Sequence, residues 1–155
     1  MYAFEVFSYP LPERPNPGNR INRLAEISAI KDPLPLSGLV HGRRASDLEE
    51  RFARGLDSAG LAYRFQYRVK LEISLPGREK VIDFLVELGW RYPVEIDGVI
   101  AHRTAAQQGA DRVREILLND SLRRRGIFPI QRLRWWQLAS QEMADRVVRE
   151  MFGGK

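Results

Sequence analysis

Three observations predict an α/β domain whose elements run α-β-β-β-α-β-α. A capped amphipathic segment opens at Ser46, the apolar period drops to two residues after Ala62, and helical spacing returns from Thr104 and again from Leu138.

Ser46 stands at a helix N-cap with Glu49 where a capping box needs its carboxylate. Leu48, Phe52, Leu56 and Ala59 share one face of that helix, and Gly60 closes it. Glu50, one position on from Glu49, is expected to face solvent. Tyr63, Phe65, Tyr67, Val69, Leu71 and Ile73 then alternate with Arg64, Gln66, Arg68, Lys70 and Glu72, the pattern of a long strand with one wet face. Pro76-Gly77 turns the chain into a second strand at about 79–88, and Gly89 turns it into a third at about 91–97, giving an antiparallel meander. A helix is predicted from Thr104 to about Arg125, ended by Gly126, with Ala106, Ala110, Val113, Ile116 or Leu117, and Leu122 inward. Ile127 to Trp135 reads as a fourth strand, with Pro129 confined to its first half or to a bulge. Leu138 to Met151 makes the last helix, striped by Met143, Val147, Val148 and Met151. Trp135 and Trp136 fall on opposite faces of a strand end, so both fill the core, or one of them stacks on a base or a protein surface.

Residues 1–45 read as an N-terminal accessory arm ahead of a domain at 46–155. The arm holds a short strand at Tyr2 to Phe7 and four prolines within 10–18. A short helix follows, carrying Ile21, Leu24, Ala25 and Ile27 or Ser28 and stopped by Pro33 and Pro35. Such an arm favours an interaction role, as a dimer contact or in docking to a larger complex.

Composition narrows the chemistry. The chain has 155 residues, a formal charge of +5, 44% hydrophobic residues and no cysteine. With only His41 and His102 beside that, a thiolate zinc site, a disulfide framework and a cysteine nucleophile are excluded, so metal chemistry would rest on carboxylate oxygens and point to Mg²⁺ or Mn²⁺. No apolar stretch approaches the roughly 20 residues needed to span a bilayer, and no basic leader is present, so a cytoplasmic protein without membrane contact is expected. There is no G-x-x-x-x-G-K-[ST] loop, G-x-S-x-G elbow or G-x-G-x-x-G turn. The charge is unevenly spread: 102–134 holds eight basic against three acidic residues, while 46–101 holds eight against ten. A block of carboxylates beside a block of arginines suits either a metal-dependent enzyme acting on a polyanion or a solvated basic helix on an ordinary domain.

The carboxylates carry the sharper signal. Asp83 interrupts Val81-Ile82-Asp83-Phe84-Leu85-Val86, a strand apolar on both faces and therefore central. On the next strand Glu95 and Asp97 share one face while Val94 and Ile96 take the other. Two carboxylates about 7 Å apart repel by roughly 2.4 kcal/mol at an effective dielectric of 20, so three together raise their pKa values or recruit a divalent cation. The alternatives are that Arg68 or Lys70 pairs with Asp83, or that Glu95 sits at an exposed strand end.

These residues resemble the PD-(D/E)XK nuclease superfamily, and within it the group related to very-short-patch repair endonucleases. The resemblance covers about 46–137. It rests on Ser46-x-x-Glu49-x-x-Phe52-x-x-x-Leu56, Tyr63-Arg64-Phe65-Gln66, Val81-Ile82-Asp83-Phe84, Glu95-Ile96-Asp97-Gly98 followed by His102, and Ile130-Gln131-Arg132-Leu133. It implies a restriction-endonuclease-like α-β-β-β-α-β core, with a mixed four-stranded sheet flanked by helices, and a metal-dependent DNA endonuclease. The resemblance implies Asp83 and Glu95 as Mg²⁺ or Mn²⁺ ligands, Asp97 as a further ligand or a supporting acid, and Glu49 as ligating through water or positioning a second ion. It also implies His102 as base or proton donor. Two departures stand out. The superfamily's usual Lys two residues after the Glu is Asp97 here, and the group's Asp-x-x-Arg spacing is kept only by Asp111 and Arg114, four residues early.

Read from the residues alone, Glu49 completes the capping box and His102 is a polar residue at a helix start. Arg112, Arg114, Arg123, Arg124, Arg125, Arg132 and Arg134 are expected to grip a DNA backbone. The rival from another class is a nuclease-like fold retained as a DNA-binding or assembly module without turnover.

Overall fold

A computed structural model describes residues 29–70, 79–98 and 105–153. The expected strand at 2–7, the proline-rich stretch, most of the arm helix, Leu71 to Ile73, the Pro76-Gly77 turn and His102 lie outside them.

The protein is mixed α/β, a four-stranded sheet flanked by helices. A small hairpin, β1 (Leu39–Val40) and β2 (Arg43–Arg44), precedes α1 (Asp47–Ser58). β3 (Ala62–Lys70), β4 (Glu79–Leu88) and β5 (Trp90–Asp97) form the antiparallel meander, and β6 (Gln131–Arg134) adds parallel to β5, giving the order β3-β4-β5-β6. α2 (Ala105–Arg124) links β5 to β6; a short 3₁₀ turn (Trp135–Leu138) and α3 (Gln141–Phe152) follow. Asp83 is thus on a central strand, as its apolar flanks require.

α1 begins with the predicted reciprocal cap: Ser46 Oγ accepts from Glu49 N at 3.2 Å and Glu49 Oε2 accepts from Ser46 N at 2.7 Å. Phe52 and Leu56 are fully buried, and α3 crosses so closely that a Cβ on Gly55 would meet Val148 Cγ2 at 3.0 Å. Glu50 does not face solvent. It is 3% exposed, and its carboxylate accepts from Ser37 N at 2.8 Å, Ser37 Oγ at 2.9 Å, Gly38 N at 2.7 Å and Arg54 Nη2 at 2.9 Å. Next to it, buried Arg51 holds Asp32 through Nε–Oδ1 at 2.7 Å and Nη2–Oδ2 at 2.8 Å. The helical turn at 29–31 stops ahead of Pro33, and 32–45 is stitched to α1 by these two carboxylates.

Strict alternation would keep Tyr63, Phe65, Tyr67 and Val69 on one face, and the sheet departs from it. Tyr63 and Phe65 pack with Phe52 and Phe84 beneath α1 and α3, whereas Tyr67 and Val69 pack with Ile82, Leu118 and Leu122 beneath α2. The switch falls at Gln66, a non-glycine residue at φ +55°. β4 changes face with it: Ile82 and Leu85 join the second core, Phe84 and Val86 the first. The β3–β4 ladder runs to Phe65↔Phe84 and resumes at Tyr67↔Ile82, so Gln66 and Asp83 are the opposed positions it passes over.

Other expectations shift locally. Among the described side chains of α2, Leu118, Ser121 and Leu122 are buried, while Val113 and Ile116 are 58% and 67% exposed; Ala106 and Ala110 lie outside the described ones. The fourth strand is only four residues long; Ile127 makes a single parallel bridge with Arg91, and the chain past Pro129 is held by Ile130 N donating to Asn119 Oδ1 at 3.1 Å. The last helix starts at Gln141, capped by Ser140, after the 3₁₀ turn, and buries Ala144 with Val147 and Val148, so Ala144 takes the place expected for Met143. Trp135 is 43% exposed and is not a core residue. Among the described residues no helix is long and apolar enough to cross a membrane.

Candidate acidic site at the sheet break

The face change at Gln66 and Asp83 cuts the β4–β5 ladder, which stops at Phe84↔Val94. Beyond that pair, Ile96 N has no backbone partner on β4, and Asp83 supplies one: its Oδ2 accepts from Ile96 N at 2.8 Å. Neither Arg68 nor Lys70 pairs with Asp83. Arg68 reaches Glu79 instead.

Burial pushes the Asp83 carboxyl up to about 6 against the pull of the Ile96 hydrogen bond, and the negative charges of Glu49 and Glu95 add to the rise. Glu49 and Glu95 are therefore both near enough for their charge to act on Asp83. Glu49 acts from the first turn of α1, where it also closes the capping box.

Glu95 is 7% exposed rather than sitting at an open strand end. Its Oε1 lies 3.0 Å from Lys80 Nζ and its Oε2 3.5 Å from Arg132 Nη1. The parallel β5–β6 register puts Glu95 opposite Arg132 and Asp97 opposite Arg134. Arg132 therefore spans the acids, with Nη1 3.5 Å from Asp97 Oδ1 and Nη2 3.3 Å from Glu115 Oε2 on α2. Burial by itself would lower the Arg132 guanidinium; Glu95, Glu115 and Asp97 outweigh it and hold it above its ordinary value.

Of the expected site residues, the fold thus puts Glu49 and Glu95 within electrostatic reach of Asp83 and joins Glu95 to Asp97 through Arg132. It adds two that the sequence did not announce, Lys80 and Glu115. Lys80 is three residues before Asp83, and simple alternation would send the two to opposite faces; the break between them brings Lys80 to Glu95.

The arginines divide. Arg132 is exposed and ion-paired with Glu95, Asp97 and Glu115. Arg123 and Arg124 both pair with Asp120 at 3.1 Å, and Arg125 Nη2 donates to Lys70 O at 3.0 Å. Arg112 and Arg134 are exposed, and the side chains of Asp111 and Arg114 fall outside the described ones.

All donors at the site are oxygens, which suits a hard dication. Among the described residues no three His, Cys, Asp or Glu side chains lie close enough together to hold a metal ion. Mg²⁺ commonly takes only one or two carboxylates and completes its shell with water and phosphate. Glu95 links the two halves: its charge acts on Asp83 from one side, and Lys80 and Arg132, the latter shared with Asp97 and Glu115, hold it from the other. Comparison with protein-family models, curated proteins and solved structures finds no match to this chain.

Proposed function

We propose that the chain is a divalent-metal-dependent DNA endonuclease with a restriction-endonuclease-like core. The observation that supports this reading is that Asp83, bound to Ile96 N at a break between two central strands, feels the charge of buried Glu95, which shares Arg132 with Asp97. Asp83 and Glu95 would hold Mg²⁺ or Mn²⁺, with Asp97 and, through water, Glu49 in support. Such an ion supplies charge neutralisation at a phosphodiester and a lowered pKa for a bound water. Lys80 takes the electrostatic place of the lysine missing at Asp97, because its ammonium already lies 3.0 Å from Glu95. Lys80 and Arg132 would offset the negative charge that builds on a phosphate in the transition state. His102 keeps its proposed part as base or proton donor.

The test is cleavage of supercoiled plasmid by purified protein with Mg²⁺ or Mn²⁺. Asp83→Asn and Glu95→Gln should each abolish nicking, and so should EDTA; activity that survives EDTA would refute the reading. One observation favours a second reading, a DNA-binding or assembly module without turnover: Glu95 is already engaged by both Lys80 and Arg132. DNA binding without cleavage under either metal is its signature.

A further inference from the structure

The β1–β2 hairpin is too small to hold itself, since an isolated two-stranded ribbon is marginal even when longer. Here it is fixed at every corner. His41 at φ +48° and Gly42 at φ +76° form the two-residue turn with both central residues left-handed, the type I′ geometry that matches strand twist. Val40 is 4% exposed in the first core, Ala45 N donates to Gly38 O at 2.9 Å, and Glu50 clamps Gly38. The His41 ring stacks on Tyr63 at 4.7 Å between centroids. Gln66, the residue opposite Asp83 at the sheet break, donates from Nε2 to Arg44 O at 3.4 Å.

What this clamped hairpin presents is positive charge. Arg43 and Arg44 are exposed, and neither has a carboxylate partner among the described residues, in contrast to Arg64, Arg68, Arg123, Arg124 and Arg132. Adjacent in a strand, they point to opposite faces, so they reach two directions from one rigid support. Two guanidiniums without a carboxylate partner among the described residues, beside the Gln66–Asp83 break, fit an anionic polymer, which must be held by positive charge before its phosphates can approach carboxylates.

We infer that the β1–β2 hairpin is a backbone clamp for duplex DNA, in which Arg43 and Arg44 each contact a phosphate and place the strand across the Gln66–Asp83 break. The choice of partner rests on the function proposed above.

Fluorescence anisotropy with a labelled duplex of about 20 base pairs, titrated over roughly 50–200 mM salt, tests this. Arg43→Gln/Arg44→Gln should weaken binding about tenfold or more and reduce the slope of log affinity against log salt by about 2. Arg43→Lys/Arg44→Lys should restore the slope, and Arg149→Gln, an exposed change on α3, should leave both quantities alone. An unchanged slope in the double Gln variant, or no salt-dependent binding by the wild-type chain, overturns the clamp. Plasmid cleavage by the same proteins separates the two proposals. Binding that needs Arg43 and Arg44 without any hydrolysis sinks the endonuclease and leaves the clamp, whereas hydrolysis with an unaltered slope does the reverse.

Discussion

The Asp83 carboxylate accepts the Ile96 amide at 2.8 Å at the point where the ladder between their strands ends. One side chain thereby replaces a backbone partner and sets a negative charge inside the sheet. Retaining the acceptor without the charge should separate these roles.

Asp83→Asn keeps an oxygen for Ile96 N and removes the titration. Because the folded carboxyl is pushed up to about 6 from 3.8, the folded state binds the proton more tightly than the unfolded chain. The stability that Asp83 contributes is therefore full below about 4 and is lost as pH rises through about 6. In urea denaturation, Asp83→Asn should gain on the wild type between these limits and hold a constant advantage above them. A difference that stays flat from pH 4 to 7 would contradict the assignment. Asp83→Ala, which also strands Ile96 N, should be less stable than Asp83→Asn by about 1–2 kcal/mol.

Glu50 should behave in the opposite sense. Burial would raise its carboxyl, but the Ser37 and Gly38 amides, the Ser37 hydroxyl and Arg54 outweigh that and hold it below the ordinary range. Its stabilisation is present above the unfolded value near 4.5 and disappears as pH falls through the lower folded value. Glu50→Gln should cost about 2 kcal/mol at neutral pH, and the cost should shrink on acidification. Proteolysis should then reach 37–45 sooner than α1, because this carboxylate ties the hairpin base to the helix.

The contrast between Glu49 and Glu50 shows what sequence spacing can convey. The Glu49 contact is local, three residues from Ser46, and the capping pattern states it. Apart from Arg54 one turn on, the partners of Glu50 lie 12 and 13 residues upstream, in a segment whose approach no periodicity announces. The meander was readable for the same reason as the cap, since its turns and its period are local. The change of face was not: Gln66 sits at positive φ, where Gly or Asn would have given a signal, and alternation carried past it assigns Tyr67, Val69 and Lys80 to the wrong sides. The acids Asp83, Glu95 and Asp97 could be found because charges inside apolar strands stand out, but their cations could not, because Lys80 depends on the break and Arg132 on a parallel register across α2. The His41-Gly42 turn went unread, because Asn, Asp or Gly rather than His is the usual first residue of such a turn, and it forms the hairpin that carries Arg43 and Arg44.

Removing the cations of the acidic site asks whether it wants one. Lys80→Met/Arg132→Leu leaves the buried Glu95 carboxylate without either ion pair and should destabilise the protein by about 2 kcal/mol in EDTA. If Asp83 and Glu95 can hold a dication, Mg²⁺ should restore the melting temperature of this variant and raise that of the wild type less; at about 100 times its Kd a ligand contributes roughly 2.7 kcal/mol. No response of the variant to Mg²⁺ or Mn²⁺ would count against a metal site.

The meeting of α1 and α3 yields a sharper packing prediction. A Cβ at Gly55 would lie 3.0 Å from Val148 Cγ2, 3.3 Å from Asp145 Oδ1 and 3.4 Å from the Ala144 carbonyl oxygen. Gly55→Ala gains about 1 kcal/mol of helix propensity but must displace the Val148 methyl, so the two effects nearly cancel. Gly55→Leu also pushes on the α3 backbone and should cost about 2 kcal/mol or more. Val148→Ala alone opens a cavity in the first core and should cost roughly 1–2 kcal/mol, yet it vacates the space a Gly55 methyl would need. The Gly55→Ala/Val148→Ala double variant should therefore be more stable than the sum of its parts by about 1 kcal/mol, a coupling that thermal or urea denaturation of all four proteins measures directly. Strict additivity would mean that the helices are not held at this separation by Gly55.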